Sequence, residues 1–557
     1  MNPFNAKLRK CICRLAVYQI GLLLLVSHVL IAQIAVTTNH YDNHRTGWNF
    51  KETTLTPANV GSSSFGVLFS IPLDAAVNAQ PLVVPNQQIT AGNFQGKHDV
   101  VYVATEGNTI YAIDVHTGTV LLSPNFGPPL VQPFGCKNDP LVGTESTPVI
   151  NLATNTMYVM IYTSESNGPV YRLHALDLGS LADQQPPVVV SASHTLTDGS
   201  TFNFDATYQR QRPALLMANG NIYAGFGSFC DFEANESRGW MLGWQATTLA
   251  PLPGNQLLDM QANDSSEFFL SSIWMSGSGP AADGYGNVYF TTGNSDPSGN
   301  SYDGKTNIQE SAVKVSPDLT QVLDLFTPSN WGILDEQDLE LGSGGIMLLP
   351  RITLPTSKEP YIDLAVADGK ETTMFLMNQN DLGGYDPNNN NVLGQYSAGH
   401  CMCGASYFVD PSDLSPRVVI GAGTTIQSWK LQTSPTVGLT NVANSVGVFQ
   451  RNHGAYTTVS SNGTKSPIIW AAGNPNKIGQ NNSSAMGLFA FDPEAGGSTL
   501  KMIYSNETFG TWPYYGNAFT VPVVANGEVF VGSAQQLTIF GLTGNGVTKN
   551  RPGRTAK

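Results

Sequence analysis

The chain has 557 residues, of which 12% are charged, with 56 glycines, 34 prolines and a formal net charge of −14. That acidic balance repels nucleic acid and anionic membrane surfaces, so neither is an expected partner. Abundant Gly and Pro, with no long helical apolar periodicity beyond the N-terminus, point to short strands and tight turns rather than a helical fold.

Residues 1–32 read as a secretory signal peptide. Lys7, Arg9, Lys10 and Arg14 make a basic start, Leu15–Ile31 is an apolar run, and Ala32 offers a small residue for cleavage. The alternative is a retained anchor, but Gln19, Gly21, Ser27 and His28 interrupt the run. Cleavage removes four of the 27 basic side chains and none of the 41 acidic ones, taking the balance to −18. The expectation is an exported protein, periplasmic or extracellular and monomeric, with no membrane span after signal removal, which meets a small molecule or a protein partner.

Residues 33–65 read as an N-terminal loop segment. Within it Asn39–Asn49 (NHYDNHRTGWN) packs two His, an Asp, an Arg and a Trp, as a loop tying the terminus to the fold would. His40 and His44 could ligate a metal only if a third ligand came from elsewhere. Gly66–Leu73 (GVLFSIPL) is then a lone strand with no hairpin mate.

Val101–Leu121 (VYVATEGNTIYAIDVHTGTVL) holds two hairpins of one small sheet. Glu106-Gly107-Asn108 and Asp114–Gly118 supply turns that tolerate positive φ, and β-branched and aromatic runs flank them. So short a sheet cannot bury its apolar face alone and must stack on copies of itself. Copies recur at Gln80–Leu121, Thr147–Leu178, Pro213–Thr247, Gly279–Asp318, Leu341–Gly384, Gly404–Leu431, Thr457–Asp492 and Phe519–Gly544. The spacing suits an all-β propeller of about eight four-stranded blades over 66–545, with seven as the alternative because the fifth and sixth units are irregular. Gly66–Leu73 would complete the last blade and so remove an exposed sheet edge. Residues 546–557 read as a polar, basic tail without order.

Four cysteines remain after cleavage, an even number compatible with two disulfides in an exported chain. A Cys136–Cys230 bridge is the favoured pairing. Cys401-Met402-Cys403 could be a tight redox pair, two free thiols, or two half-bridges to the other cysteines.

Tyr111–Gly118 (YAIDVHTG), with partial copies at Leu173–Asp177 (LHALD) and Leu488–Asp492 (LFAFD), resembles the repeat of the pyrroloquinoline-quinone (PQQ)-like β-propellers. Where that repeat ends on a docking Trp, this chain has Leu121 or Leu122. In the family's dehydrogenases PQQ lies over the propeller axis with a calcium ion held by Glu and Asn, an Asp base and a basic residue. The chemistry needs those types: calcium takes hard oxygen ligands, and the Asp accepts the alcohol proton as hydride leaves.

By that resemblance Asn294 in Thr292-Gly293-Asn294 would be the amide ligand, or else an ordinary strand-terminal turn. Thr327–Glu340 (TPSNWGILDEQDLE) resembles the segment bearing the base, which makes Asp335 or Asp338 that base, or the stretch a solvated acidic loop. Lys370, in Asp368-Gly369-Lys370, would be the basic residue at the quinone, or an exposed hairpin Lys. Arg238-Gly239-Trp240 matches the strand that follows the acidic ligand, so Arg238 would meet the cofactor and Glu233 or Glu236 the metal. The adjacent cysteine pair of the family's dehydrogenases is missing, and no CxxCH haem signature is present. Two readings follow. The first is a binding or scaffold propeller without a quinone, and the alternative is a PQQ- and calcium-dependent oxidoreductase of alcohols or sugars.

Overall fold

The computed structural model describes residues 33–544 except 137, 139, 263–267, 296–301, 355–359, 451–453, 477–483, 496 and 513–518. The expected signal peptide and the tail from 546 onward lie outside these residues. Residues Ala35–Lys557 form one compact unit. Among the described residues no helix is long and apolar enough to cross a membrane.

Eight sheets follow one another in chain order, the blades of a propeller; each has four antiparallel strands, and the fourth and seventh gain a fifth by parallel pairing, Gly384–Tyr385 on Val322–Thr327 and Trp48–Asn49 on Tyr456–Asn462. Their first strands are Leu82–Ile89, Val149–Asn151, Leu216–Ala218, Ala281–Ala282, Ile346–Leu348, Ser406–Val409, Tyr456–Asn462 and Val523–Ala525. The eighth blade lacks a fourth strand of its own and takes Phe65–Pro72 from the N-terminus, antiparallel to Gln536–Leu542. The lone strand therefore closes the ring, and the blade number is eight.

Local chemistry explains the repeat. Asp114 Oδ1 accepts from the backbone N–H groups of His116 (3.0 Å) and Thr117 (2.9 Å), and Gly118 takes φ 67°. That tight turn reverses the chain between the third and fourth strands of blade 1. Adjacent blades then bury their faces on each other: Tyr102, Ile110 and Ala112 of blade 1 pack with Ile150, Met157 and Val159 of blade 2. Leu121 belongs to the same cluster, so an aliphatic side chain fills the position of the family's Trp.

The segment Val36–Asn49 is an axial plug. Its backbone carbonyls accept from Val83, Ile150, Ala282, Leu348, Tyr407 and Val459, in blades 1, 2, 4, 5, 6 and 7. Arg45 donates to Leu215 O just before blade 3 (3.2 Å), and Tyr41 Oη meets the Val524 backbone in blade 8. Arg45 is fully enclosed and also donates to Pro280 O, Thr38 Oγ1 and Asn39 O. His40 is buried, and burial lowers its pKa to about 4, so it stays neutral. The polar loop is thus a structural tie among all eight blades.

Because strands alternate in direction, the loop entering each first strand and the loop between second and third strands share one face. The functional candidates lie on that face.

Candidate functional site

A cavity of about 670 Å³ opens among the entry loops, with Arg212, Asp231, Trp274, Asp338, Glu340 and Lys370 in its wall. Tyr456, which starts blade 7, donates to the backbone oxygen of Ser276 before blade 4 (2.9 Å) and to that of Met402 before blade 6. Loops from across the ring converge here, so the cavity lies at the axis.

Each acidic residue is set by its local backbone. Asp338 follows the helix Trp331–Gln337 and caps it in the left-handed conformation, φ 54°. Cys230 and Asp231 take φ 54° and 57° in the loop between the second and third strands of blade 3, where the Cys136–Cys230 disulfide pins them. Non-glycine residues held in this region carry strain that surrounding structure must override, a pattern concentrated at functional sites. Asn294 lies just beyond the strand Val288–Thr291. Its turn is locked by Thr292 Oγ1 donating to Ile308 O at 2.7 Å.

Asp231, Asp338 and Glu340 each offer an oxygen within 4.8 Å of the other two. Asn294 Nδ2 donates to Asp231 Oδ2 (3.2 Å), while Asn294 Oδ1 is buried without a hydrogen-bond partner. Lys370 Nζ bridges Asp338 Oδ1 (2.7 Å) and Glu340 Oε2 (2.6 Å), and Ser343 Oγ also donates to Glu340 (2.8 Å). Lys370 is held in place by its own N–H on Glu340 O at 3.0 Å. Trp274 forms a flat wall with an unpartnered Nε1. Arg212 packs 5.2 Å from its ring, and Arg212 Nη1 lies 3.3 Å from Ser276 Oγ.

Charge separates the carboxyls. Burial, with added repulsion from Asp338 and Asp231, pushes Glu340 up to about 8 against the pull of Lys370. Burial also raises Asp231. For Asp338 burial acts upward too, but hydrogen bonding with Glu340 and the Lys370 ammonium outweigh it and hold the carboxyl below its ordinary range. Burial disfavours the Lys370 ammonium, yet Glu340 and Asp338 more than offset that and raise it.

Of the residues expected from sequence, Asp338 and Lys370 meet in the cavity wall, and Asn294, outside the wall, joins them through Asp231. Asp335 does not line the cavity: it is buried behind it and accepts from Ser295 N at 3.2 Å. Arg238 is also absent from the wall. It stands two residues before the strand Trp240–Gln245 of blade 3, buried over the rings of Phe269 (3.8 Å) and Phe202 (4.4 Å), with Nη1 donating to Asp259 O (2.8 Å). Glu233 and Glu236, in the same loop, are not in the cavity wall either, and the Glu236 and Ser237 N–H groups donate to Glu233 O. The acid that reaches the cavity from this loop is Asp231. Sequence reasoning also missed Glu340, Trp274 and Arg212. The adjacency of Cys230 to Asp231, and the Asp-Leu-Glu spacing at 338–340, were the available signals.

No protein-family model matches the sequence, and no curated protein matches it either. Solved structures do share its fold. A quinohemoprotein alcohol dehydrogenase from Comamonas testosteroni has a TM-score of 0.58 at 14% identity, over 94% of this chain and 82% of that one. The quinohemoprotein alcohol dehydrogenase ADHIIG from Pseudomonas putida HK5 has 0.57 at 12% identity, over 94% and 82%. A europium-containing methanol dehydrogenase has 0.56 at 10% identity, over 91% and 98%. The chain therefore has the eight-bladed propeller fold of the PQQ-type dehydrogenases, a likeness that speaks for architecture.

Proposed function

We propose that this protein is a quinone- and metal-dependent oxidoreductase acting on alcohols or sugars from its axial cavity. One observation carries the reading: Asn294 Oδ1 is buried without a partner, next to Asp231, and Asp231 is one of three carboxyls whose oxygens converge within 4.8 Å. Lys370 already meets Asp338 and Glu340, but a bare buried amide oxygen beside Asp231 is unfavourable, and a cation there would relieve it. An all-oxygen donor set of this kind suits a hard cation such as calcium.

In this reading Asp231, Glu340 and Asn294 hold the metal. Bound PQQ would supply a carbonyl carbon that accepts hydride, made more electrophilic by the cation. Asp338 accepts the hydroxyl proton of the substrate. Its side chain is 66% exposed, which leaves it open to the cavity, and Lys370 keeps it ionised and aimed. Trp274 offers a planar face for a flat heterocycle, and Arg212 a cationic donor for an acidic one. The scaffold reading asks for none of these features and leaves the bare amide oxygen unexplained.

The test is direct. Purified protein is incubated with PQQ and calcium, gel-filtered, and scanned for retained quinone absorbance, then assayed for dye-linked alcohol oxidation. Asp338→Asn should abolish oxidation while quinone retention persists. Failure of the unaltered protein to retain quinone with calcium or a lanthanide ion would end the proposal.

A further inference from the structure

We propose that His194 Nε2 and Met260 Sδ form a binding site for a soft monovalent metal ion, Cu(I). Neither residue lines the axial cavity, and the inference needs neither quinone nor calcium.

Three segments build the site. His194 sits in a short hairpin, Ser193–Thr195 against Thr201–Asn203, on the connection from blade 2 to blade 3. Asn255 and Met260 stand on either side of the outer strand of blade 3, Gln256–Leu257. Thr197 N donates to Met260 O at 2.9 Å and ties the hairpin to the end of that strand. His194, Asn255 and Met260 are all half-buried, so an ion can reach them from solvent.

Four polar groups run in a line here. Ser193 O lies 3.2 Å from Asn255 Nδ2, Asn255 Oδ1 lies 2.9 Å from His194 Nδ1, and His194 Nε2 lies 3.0 Å from Met260 Sδ. The two ends of the line, a carbonyl and a thioether, only accept. Between them the amide supplies one donor along the line, and a neutral imidazole supplies one more. Three contacts therefore share two hydrogens. Turning the amide or moving the ring proton changes which contact is bare and never removes the deficit. As the groups stand, Asn255 donates to Ser193 O and His194 Nδ1 donates to Asn255 Oδ1. Nε2 and Sδ then face each other as two acceptors, an arrangement that a cation between them would satisfy.

The ligand pair selects the cation. A thioether is a weak hydrogen-bond acceptor but a soft metal ligand, and together with imidazole it suits Cu(I) rather than zinc, calcium or magnesium. The Asn255 bond to Nδ1 is the kind of outer contact that fixes ring and tautomer in metal-ligating histidines. An ion about 2 Å from each atom needs them slightly further apart, which the three rotatable bonds of Met allow.

The experiment uses the full chain, carrying carbon-13 at its methionine methyls and with free thiols alkylated beforehand. Cu(I) is added anaerobically at pH 8, where free imidazole is neutral. The Met260 methyl signal, assigned by its loss in Met260→Leu, should move and then saturate, while Zn(II) leaves it in place. His194→Asn should abolish the movement, and Asn255→Ala should weaken binding about tenfold by freeing the ring. A Met260 signal that stays put under excess Cu(I), or that moves equally with Zn(II), would overturn the proposal. So would movement that persists in a His194→Asn protein with unaltered near-UV circular dichroism. A signal that responds to acidification to pH 5 but not to Cu(I) would assign the third contact to a proton and overturn it too. The titration itself is read on the unaltered protein, so it decides even if a substitution impairs folding.

Discussion

The two ends of the Asn294 amide are treated differently by the fold. Its nitrogen is engaged by Asp231, but its buried oxygen is not engaged by any donor. A bare buried acceptor costs about 1–3 kcal/mol, which a cation would recover. Calcium near a hundredfold excess over its dissociation constant should therefore stabilise the protein by about 3 kcal/mol. Asn294→Ala should lose most of that shift without lowering the melting temperature of the metal-free protein. Thermal melts with and without calcium decide it, and a full shift in the variant would remove Asn294 from the metal site. Asn294 and Lys370 entered the candidate site from the sequence through resemblance, because each sits in a short turn similar to one of the family's. Asp231 did not, because its partner acids come from a loop more than a hundred residues later. No local pattern marks a contact made by ring closure.

At the scale of elements, the site depends on two turns pressed together. A Cβ at Gly342 would lie 2.3 Å from Gly293 N and 2.4 Å from the Thr292 carbonyl carbon. The Leu341–Ser343 turn carries the end of the Glu340 segment, and Gly342 O accepts from Met275 N at 2.9 Å, next to Trp274. Gly342→Ala should push this turn away from Asn294 and cost about 2–4 kcal/mol, as overpacking does. Urea melts would show the loss, and calcium stabilisation should fall with it. A variant within about 0.5 kcal/mol of the parent would mean the contact is slack. Strand legibility had the same physical limit. The middle hairpin of blade 2, Thr156–Glu165 with Gly168–Asp177, is long and largely buried and was visible, whereas outer strands such as Val188–Val189 and Gln256–Leu257 span two residues each. An outer strand pairs along one edge and stays half-exposed, so selection for apolar residues is weak there. The second unit, read as ending at Leu178, thus extends in fact to Val189.

The whole molecule is a ring closed twice, by the strand Phe65–Pro72 at its rim and by the plug at its axis. The plug's Arg45 donates to Pro280 O (2.8 Å), Thr38 Oγ1 (2.7 Å), Asn39 O (2.9 Å) and Leu215 O (3.2 Å), all buried. Arg45→Met should strand these acceptors and cost about 3–5 kcal/mol, the scale for breaking a buried charged network. A calorimetric transition that kept its midpoint would contradict the plug. The rim seam between blades 8 and 1 is sensitive to pH instead. Glu528 of blade 8 is raised to about 7, chiefly by burial and further by Asp99 of blade 1 and by Glu52, while His116 pulls it down. His116 lies between them, 2.9 Å from Asp99 Oδ2 and 3.7 Å from Glu528 Oε1. A carboxyl with a raised folded pKa favours folding while protonated, so its contribution is complete below about 4.5 and is lost as pH climbs to about 7. Glu528→Gln imitates the protonated form at every pH. The variant should match the parent near pH 4.5 and exceed it by about 1–3 kcal/mol at pH 8, measured by urea unfolding at both values. Parallel pH profiles for the two proteins would show that Glu528 stays ionised in the fold and that the seam carries no such penalty.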